Sequence, residues 1–193
     1  RWADTPWFVV SPHVYGKLPP SHIAVQVEQL GSRWFTERYH QQLRAADAVL
    51  EIFRPNLPYL LGNVGLPRER VFYLPLQMLP TWPVPTVPLD TEHSALFYGD
   101  YKSSMRRKSI LDELDARLDK PIKRVIDVYG SKMRSELAAH PIVLNIHHAW
   151  PAALEQVRIY EALSSECVVI SEPGLDALDH PELLDLVDFV KPG

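Results

Sequence analysis

Residues Ile142 to Glu172 read IVLNIHHAWPAALEQVRIYEALSSECVVISE. The apolar, β-branched run Ile142 to Ile146 predicts a strand, and so does Val168 to Ser171. Between them, Ala153 to Ser164 has helical length, with Leu154, Val157 and Leu163 placed to face a sheet. Strand, helix, strand in this order is the repeating unit of a parallel sheet.

The same alternation extends outward in both directions. Further strands are predicted at Trp7 to Val10, Ile23 to Val27, Ala48 to Ile52, Val71 to Leu74, Ala95 to Tyr98, Arg124 to Val128 and Leu186 to Val190. Helices are predicted at Thr36 to Ala46, capped by Thr36, and at Ser103 to Leu118, capped by Ser103 or Ser104. The fold class is therefore α/β, with Rossmann-like, doubly wound parallel sheets.

One stretch breaks the texture. Pro75 to Pro88, PLQMLPTWPVPTVP, has too many prolines for a helix or a central strand and reads as an extended connector. It divides the chain into an N-terminal α/β unit, 1–78, a proline-rich linker, 79–91, and a C-terminal Rossmann-like unit, 92–193. The chain begins at Arg1 and stops just after an apolar strand-like run, so it reads as a segment of a longer protein.

Composition narrows the classes. With 193 residues, 46% hydrophobic and 23% charged, the chain can bury a substantial core. A net charge of -4 supplies no basic field for a phosphate backbone, so nucleic acid is not the expected partner. The single cysteine, Cys167, cannot form an internal disulfide and sits in an apolar run, where it reads as a small buried hydrophobe. No apolar stretch approaches the roughly 18 residues that cross a bilayer, and no leader pattern opens the chain. A cytoplasmic setting is the expectation.

In open parallel sheets ligands settle beyond the carboxyl ends of the strands, so the residues after each strand carry the chemistry. In the C-terminal unit these are Gly99-Asp100-Tyr101, Tyr129-Gly130-Ser131, Asn145 with His147-His148, and Glu172-Pro173-Gly174. The Gly99 turn leads into a helix that opens with Arg106, Arg107 and Lys108. A glycine turn, a helix N-terminus and forked guanidinium groups suit a diphosphate. Glu155, Arg158 and Glu161 are spaced for successive i,i+3 contacts, and a carboxylate such as Glu161 can accept both hydroxyls of a ribose.

Two longer matches carry a resemblance. The stretch IVLNIHHAWPAALEQVRIYEALSSECVVISE resembles the donor-binding region of bacterial glycosyltransferases with the glycosyltransferase-B (GT-B) fold, the "glycosyl transferases group 1" kind of capsule, lipopolysaccharide and polysaccharide synthesis. Upstream, IAVQVEQLGSRWFTERYHQQLRAADAVLEIFRPNLPYL followed by VFYLPL resembles the end of the first domain and the crossover of the same proteins. The resemblance implies a nearly complete C-terminal donor domain and a truncated N-terminal acceptor-side part. It implies transfer of a hexose-like sugar from a nucleotide-sugar donor to a glycan acceptor. Glu161 then matches the second glutamate of the family's paired-glutamate motif, while Ala153 stands at the first and Glu155 is a displaced candidate. Glu166 stands where the family commonly has glycine.

The residues expected at the nucleotide-sugar site are Gly99, Arg106, Arg107, Tyr129, Gly130, Asn145, His147, Arg158 and Glu161. No DxD triplet occurs, and the adjacent His147 and His148 are poorly spaced for one metal, so a metal-free site without a cofactor is expected. Glu28 in VQVEQL, with His13 and Arg33 near it in sequence, is the candidate base. Of Trp2, Trp7, Trp34, Trp82 and Trp150, only Trp150 is placed to stack on a sugar; Trp34, Phe35 and Tyr39 read as core. The chain has no transmembrane segment, and a peripheral membrane contact or a multi-domain partner is compatible with it. A glycosyltransferase-like module without activity, serving binding or assembly, is the alternative; a dinucleotide oxidoreductase is disfavoured because no GxGxxG follows a strand.

Overall fold

The computed structural model describes residues 5–77 and 83–191. Trp2, Trp82, Pro192 and the middle of the proline-rich stretch lie outside them. The chain forms two compact α/β units, Arg1–Leu76 and Gln77–Gly193.

In the first unit, β1 (Trp7–Val10), β2 (His22–Gln26), β3 (Ala48–Glu51) and β4 (Val71–Tyr73) pair in parallel, side by side in chain order. Helix α1 (Glu37–Ala45) links β2 to β3, and α2 (Leu57–Gly62) links β3 to β4. The Thr36 hydroxyl caps α1 by accepting the Tyr39 N–H at 3.3 Å. Alternate strand residues Ala24, Val49 and Val71 pack against Tyr39, Leu43, Leu60 and Val64. Trp34, expected in this core, precedes α1 and is exposed; Phe35 is partly buried and Tyr39 fully.

The second unit holds β5 (Ala95–Tyr98), β6 (Ile122–Val125), β7 (Ile142–Asn145), β8 (Val168–Ser171) and β9 (Val187–Phe189), all parallel, in the order β6-β5-β7-β8-β9. Helices α3 (Met105–Arg117), α4 (Gly130–Ala139) and α5 (Gln156–Ser164) alternate with the strands. The chain runs from β5 out to β6, then returns past β5 to β7. The strand order therefore reverses between β5 and β7. No helix among the described residues is long and apolar enough to cross a membrane.

Three local expectations are corrected. Strand β6 begins and ends earlier than Arg124 to Val128, because Asp127 takes a left-handed φ of 56° that ends the extended run. The segment Gly130 to Ala139, expected only as a turn at its start, is a helix that buries Met133 and Leu137. Helix α5 starts at Gln156 rather than Ala153: the Leu154 N–H donates to Asp176 Oδ1 at 2.7 Å, and Ala152 O accepts from Leu175 N at 2.9 Å. The 152–154 backbone is thus tied to the 174–176 loop and cannot enter the helix. Val157, expected on the sheet side of that helix, is exposed, and Gln156, Ile159, Tyr160 and Ala162 are the buried residues.

Gly174 sits where those two segments cross. A Cβ there would lie 2.4 Å from Leu154 N and 2.9 Å from Ala153 C, both backbone atoms. Gly174→Ala is expected to destabilise the second unit by about 1–3 kcal/mol through this overlap. Thermal melts of variant and wild type check it; equal midpoints would mean that the loop yields freely.

Cys167 is buried at the start of β8, its thiol 3.4 Å from Leu137 O. Burial pushes its pKa up to about 11.

Candidate functional site

Between β5 and β7 the strand order reverses, and doubly wound sheets take ligands in a crevice at the carboxyl edge of such a reversal. Its floor is set by Gly99, whose φ of 131° disfavours any side chain. A Cβ at this position would also stand 2.6 Å from Arg158 Nη2, so the glycine lets a guanidinium pass over the backbone.

Three arginines meet there. Arg107, from the first turn of α3, is buried; it donates to Glu155, to Ile146 O at 2.8 Å and to Asp100 O at 3.0 Å. Arg158, from α5, donates to Glu155 Oε2 at 2.7 Å and to Asn145 Oδ1 at 2.7 Å. Arg106 pairs with Glu172 and donates to His147 O at 2.9 Å. The guanidinium carbons of Arg107 and Arg158 lie 5.5 and 5.6 Å from the Phe97 ring centroid, within cation–π range.

Glu155 is the hinge of this network. Burial opposes its charge, yet Arg158 and Arg107 together hold its carboxyl below the ordinary range. Glu172 behaves alike: burial raises it, and the Arg106 hydrogen bond and the His147 N–H, donating at 2.8 Å, outweigh burial. The pKa of Arg107 is lowered as well, mainly by burial, which for a guanidinium disfavours the charged form.

The structure gathers Gly99, Arg106, Arg107, Asn145, His147 and Arg158 into this crevice. His147 is wholly buried, and its Nδ1 stands 4.0 Å from Glu155 Oε1. Burial lowers its pKa. The Trp150 ring tilts against the His147 ring at 6.1 Å between centroids. Glu161 is half-buried one helical turn beyond Arg158; it interacts with the Tyr98 hydroxyl, and burial raises its pKa despite that contact. Tyr129 and Gly130 follow β6 at the head of α4, with Tyr129 77% exposed.

The expected helix terminus is already engaged. Asp100 Oδ1 accepts the N–H groups of Lys102 and Ser103, each at 3.0 Å, and the Ser104 hydroxyl accepts that of Arg107 at 3.2 Å. Asp100, Glu155 and Glu172 thus satisfy donors that the sequence reading reserved for phosphate. Glu155 and Glu172 stand in the helix-start and strand-end positions read above, but Arg107 and Arg106 reach them from 48 and 66 residues away.

Glu28 lies in the other unit, after β2. Its carboxylate accepts from Ser32 Oγ at 2.7 Å and stands 3.3 Å from His13 Nε2. His13 stacks on Trp34 with centroids 5.2 Å apart and meets the Tyr39 ring edge-on. Arg33 reaches over Trp34 rather than to Glu28. Behind this pair is a buried group the sequence reading missed: Glu51, the last residue of β3, which accepts from Gln26 Nε2 at 2.8 Å, Phe53 N at 2.6 Å and Asn56 Nδ2 at 3.2 Å. Its signal was a lone carboxylate in the apolar run VLEIF.

The chain matches no protein-family model and no curated protein.

Proposed function

We propose that this chain is part of a nucleotide-sugar-dependent glycosyltransferase of the GT-B type, with the donor bound by the second unit. One observation carries the reading: Arg107 and Arg158 meet at the Gly99 turn by the strand-order reversal, and Arg106 binds at the ends of the neighbouring strands β7 and β8, on His147 O and Glu172. A donor diphosphate entering this crevice competes with Glu155 and Glu172 for their guanidinium groups. Forked, charge-assisted bonds to phosphate replace those to carboxylate, and the arginines take up the charge that develops as the diphosphate leaves. Asn145 and His147 line the crevice, Glu161 accepts the ribose hydroxyls, and Tyr129-Gly130 border the base.

Glu28, held by Ser32 beside His13, is the proposed base. It accepts the proton of a glycan hydroxyl while that oxygen bonds to the anomeric carbon and the bond from that carbon to the diphosphate breaks. The acceptor is a polysaccharide or other glycan, and the arginines serve without a metal.

Calorimetric titration with UDP, GDP, dTDP and CMP, with NAD as control, tests the reading. One nucleotide is expected to bind saturably, and Glu161→Ala to weaken it roughly 10- to 100-fold, the value of about 1.5–3 kcal/mol for a charged hydrogen-bond partner. Unchanged affinity in a folded variant removes the ribose role. A second reading, a module without activity that serves binding or assembly, is favoured by the closed pairing of Arg106, Arg107 and Arg158 with the chain's own carboxylates. Failure of every nucleotide to bind selects it.

A further inference from the structure

At the opposite edge of the second sheet, before β5 and β7 begin, Asp90, His93 and His140 bring a carboxylate oxygen and two imidazole nitrogens within 4.8 Å of one another. The backbone builds this corner. Asp90 donates its N–H to Ala139 O, the last residue of α4, at 2.9 Å, and its Oδ1 accepts the N–H groups of Glu92 and His93 at 2.8 and 3.1 Å. His140 follows directly as the C-cap of α4 and is 3% exposed.

The proton positions of His140 are constrained by what faces it. Its Nδ1 lies 2.7 Å from Glu136 O, a carbonyl that can only accept, so Nδ1 carries a proton. In a neutral ring Nε2 is then a bare lone pair, and it points at Asp90 Oδ2, 3.0 Å away. The same oxygen is met by His93 Nδ1 at 3.0 Å. In the tautomer that carries its proton on Nε2, His93 adds a second imidazole lone pair, and three electron-rich atoms then converge on one point, which a cation relieves. The carbonyl on the far nitrogen is the partner that metal-bound histidines ordinarily keep, since it fixes tautomer and ring orientation.

We propose that Asp90 Oδ2, His93 Nδ1 and His140 Nε2 form a binding site for Zn2+ or a similar borderline divalent metal, one that clamps the segment entering β5 to the end of α4. Two imidazoles and a carboxylate suit such ions and leave a fourth position for water. The site departs from the metal-free expectation, which rested on the absent DxD triplet and on the adjacent His147 and His148; it is independent of the crevice and of the function proposed for it. The ligands lie up to 50 residues apart and form no motif.

The test is a titration of the untagged, chelator-treated full chain with ZnSO4 by calorimetry, and with Co2+ by visible absorption. One equivalent of metal is expected to bind, with Co2+ giving the intense d–d bands of a low-coordinate site. Zn2+ is expected to raise the melting midpoint. His93→Ala and the isosteric Asp90→Asn are each expected to weaken binding by more than about tenfold, at least the loss seen when an outer-shell partner is removed. Far-UV circular dichroism confirms the fold of each variant. Absence of saturable binding overturns the proposal, as does binding that neither variant weakens. In either case the cluster is a hydrogen-bonded group that ties the segment before β5 to the end of α4.

Discussion

Glu155→Ala is expected to cost the second unit about 3–5 kcal/mol, the usual penalty when a buried ion pair loses one partner. The side chains of Arg107, Glu155 and Arg158 are 4%, 20% and 12% exposed, so water cannot replace the lost carboxylate fully. Arg107 would keep its bonds to the carbonyls of Ile146 and Asp100, but its charge and that of Arg158 would face each other unopposed over Phe97. Urea denaturation at neutral pH measures the loss. The sign of its pH dependence follows from the depressed carboxyl: Glu155 contributes stability above its unfolded pKa of 4.5, and that contribution fades as pH falls through the lower folded value. The gap between wild type and variant should therefore narrow in acid. A cost below about 1 kcal/mol would mean that the two guanidinium groups are well solvated. If the crevice takes diphosphate, inorganic phosphate should restore the variant more than it stabilises the wild type.

The first unit should respond to pH in the opposite direction. Burial pushes the Glu51 carboxyl from 4.5 up to about 7, against hydrogen bonds from Phe53 N–H, Gln26 and Asn56 that all favour the charged form. The folded state thus holds a proton more tightly than the unfolded chain does. Between about pH 8 and pH 5 acidification favours folding, and the shift corresponds to on the order of 3 kcal/mol from this one group. The Tyr39 hydroxyl is raised too, first by burial and then by the charges of Glu51 and Glu28. Comparing wild type with Glu51→Gln at both pH values isolates the charge, because whatever the amide itself costs is the same at each. Hydrogen exchange of peptides from β2 and β3 gives the local stability. The difference between the two proteins should change by on the order of 3 kcal/mol across the range; a constant difference would show that Glu51 stays charged throughout.

Strands were the most legible part of this chain, because runs such as ALFY at 95–98 and VVIS at 168–171 are apolar, β-branched or aromatic and sharply bounded. Helix α4 was missed because GSKMRSELAA has a single buried pair, Met133 and Leu137, and no capping side chain at Tyr129. The start of α5 was misread because Leu154 looks helical by its spacing, and only the distant Asp176 claims its N–H. The candidate site shows the same division. Strand-end reading reached Gly99, Asn145, His147 and Glu172, since a parallel sheet puts its loops on one edge. The i,i+3 spacing gave the contact of Glu155 with Arg158, but it could not foresee that Arg107 would join them from 48 residues away. Nor could it foresee the approach of His140 to Asp90, which depends on where α4 ends.

Cys167 has a practical corollary. Thiol-reactive dyes attack the thiolate, and this sulfur is both enclosed and protonated at the pH of ordinary conjugation. As the chain has no other cysteine, the wild-type sequence is already a silent background for site-directed labelling. Cysteines introduced at the exposed positions Lys17, in the first unit, and Lys132, in the second, could carry a fluorophore pair directly. Energy transfer between them would follow the separation of the two units as nucleotide or metal is added, without first removing a native thiol.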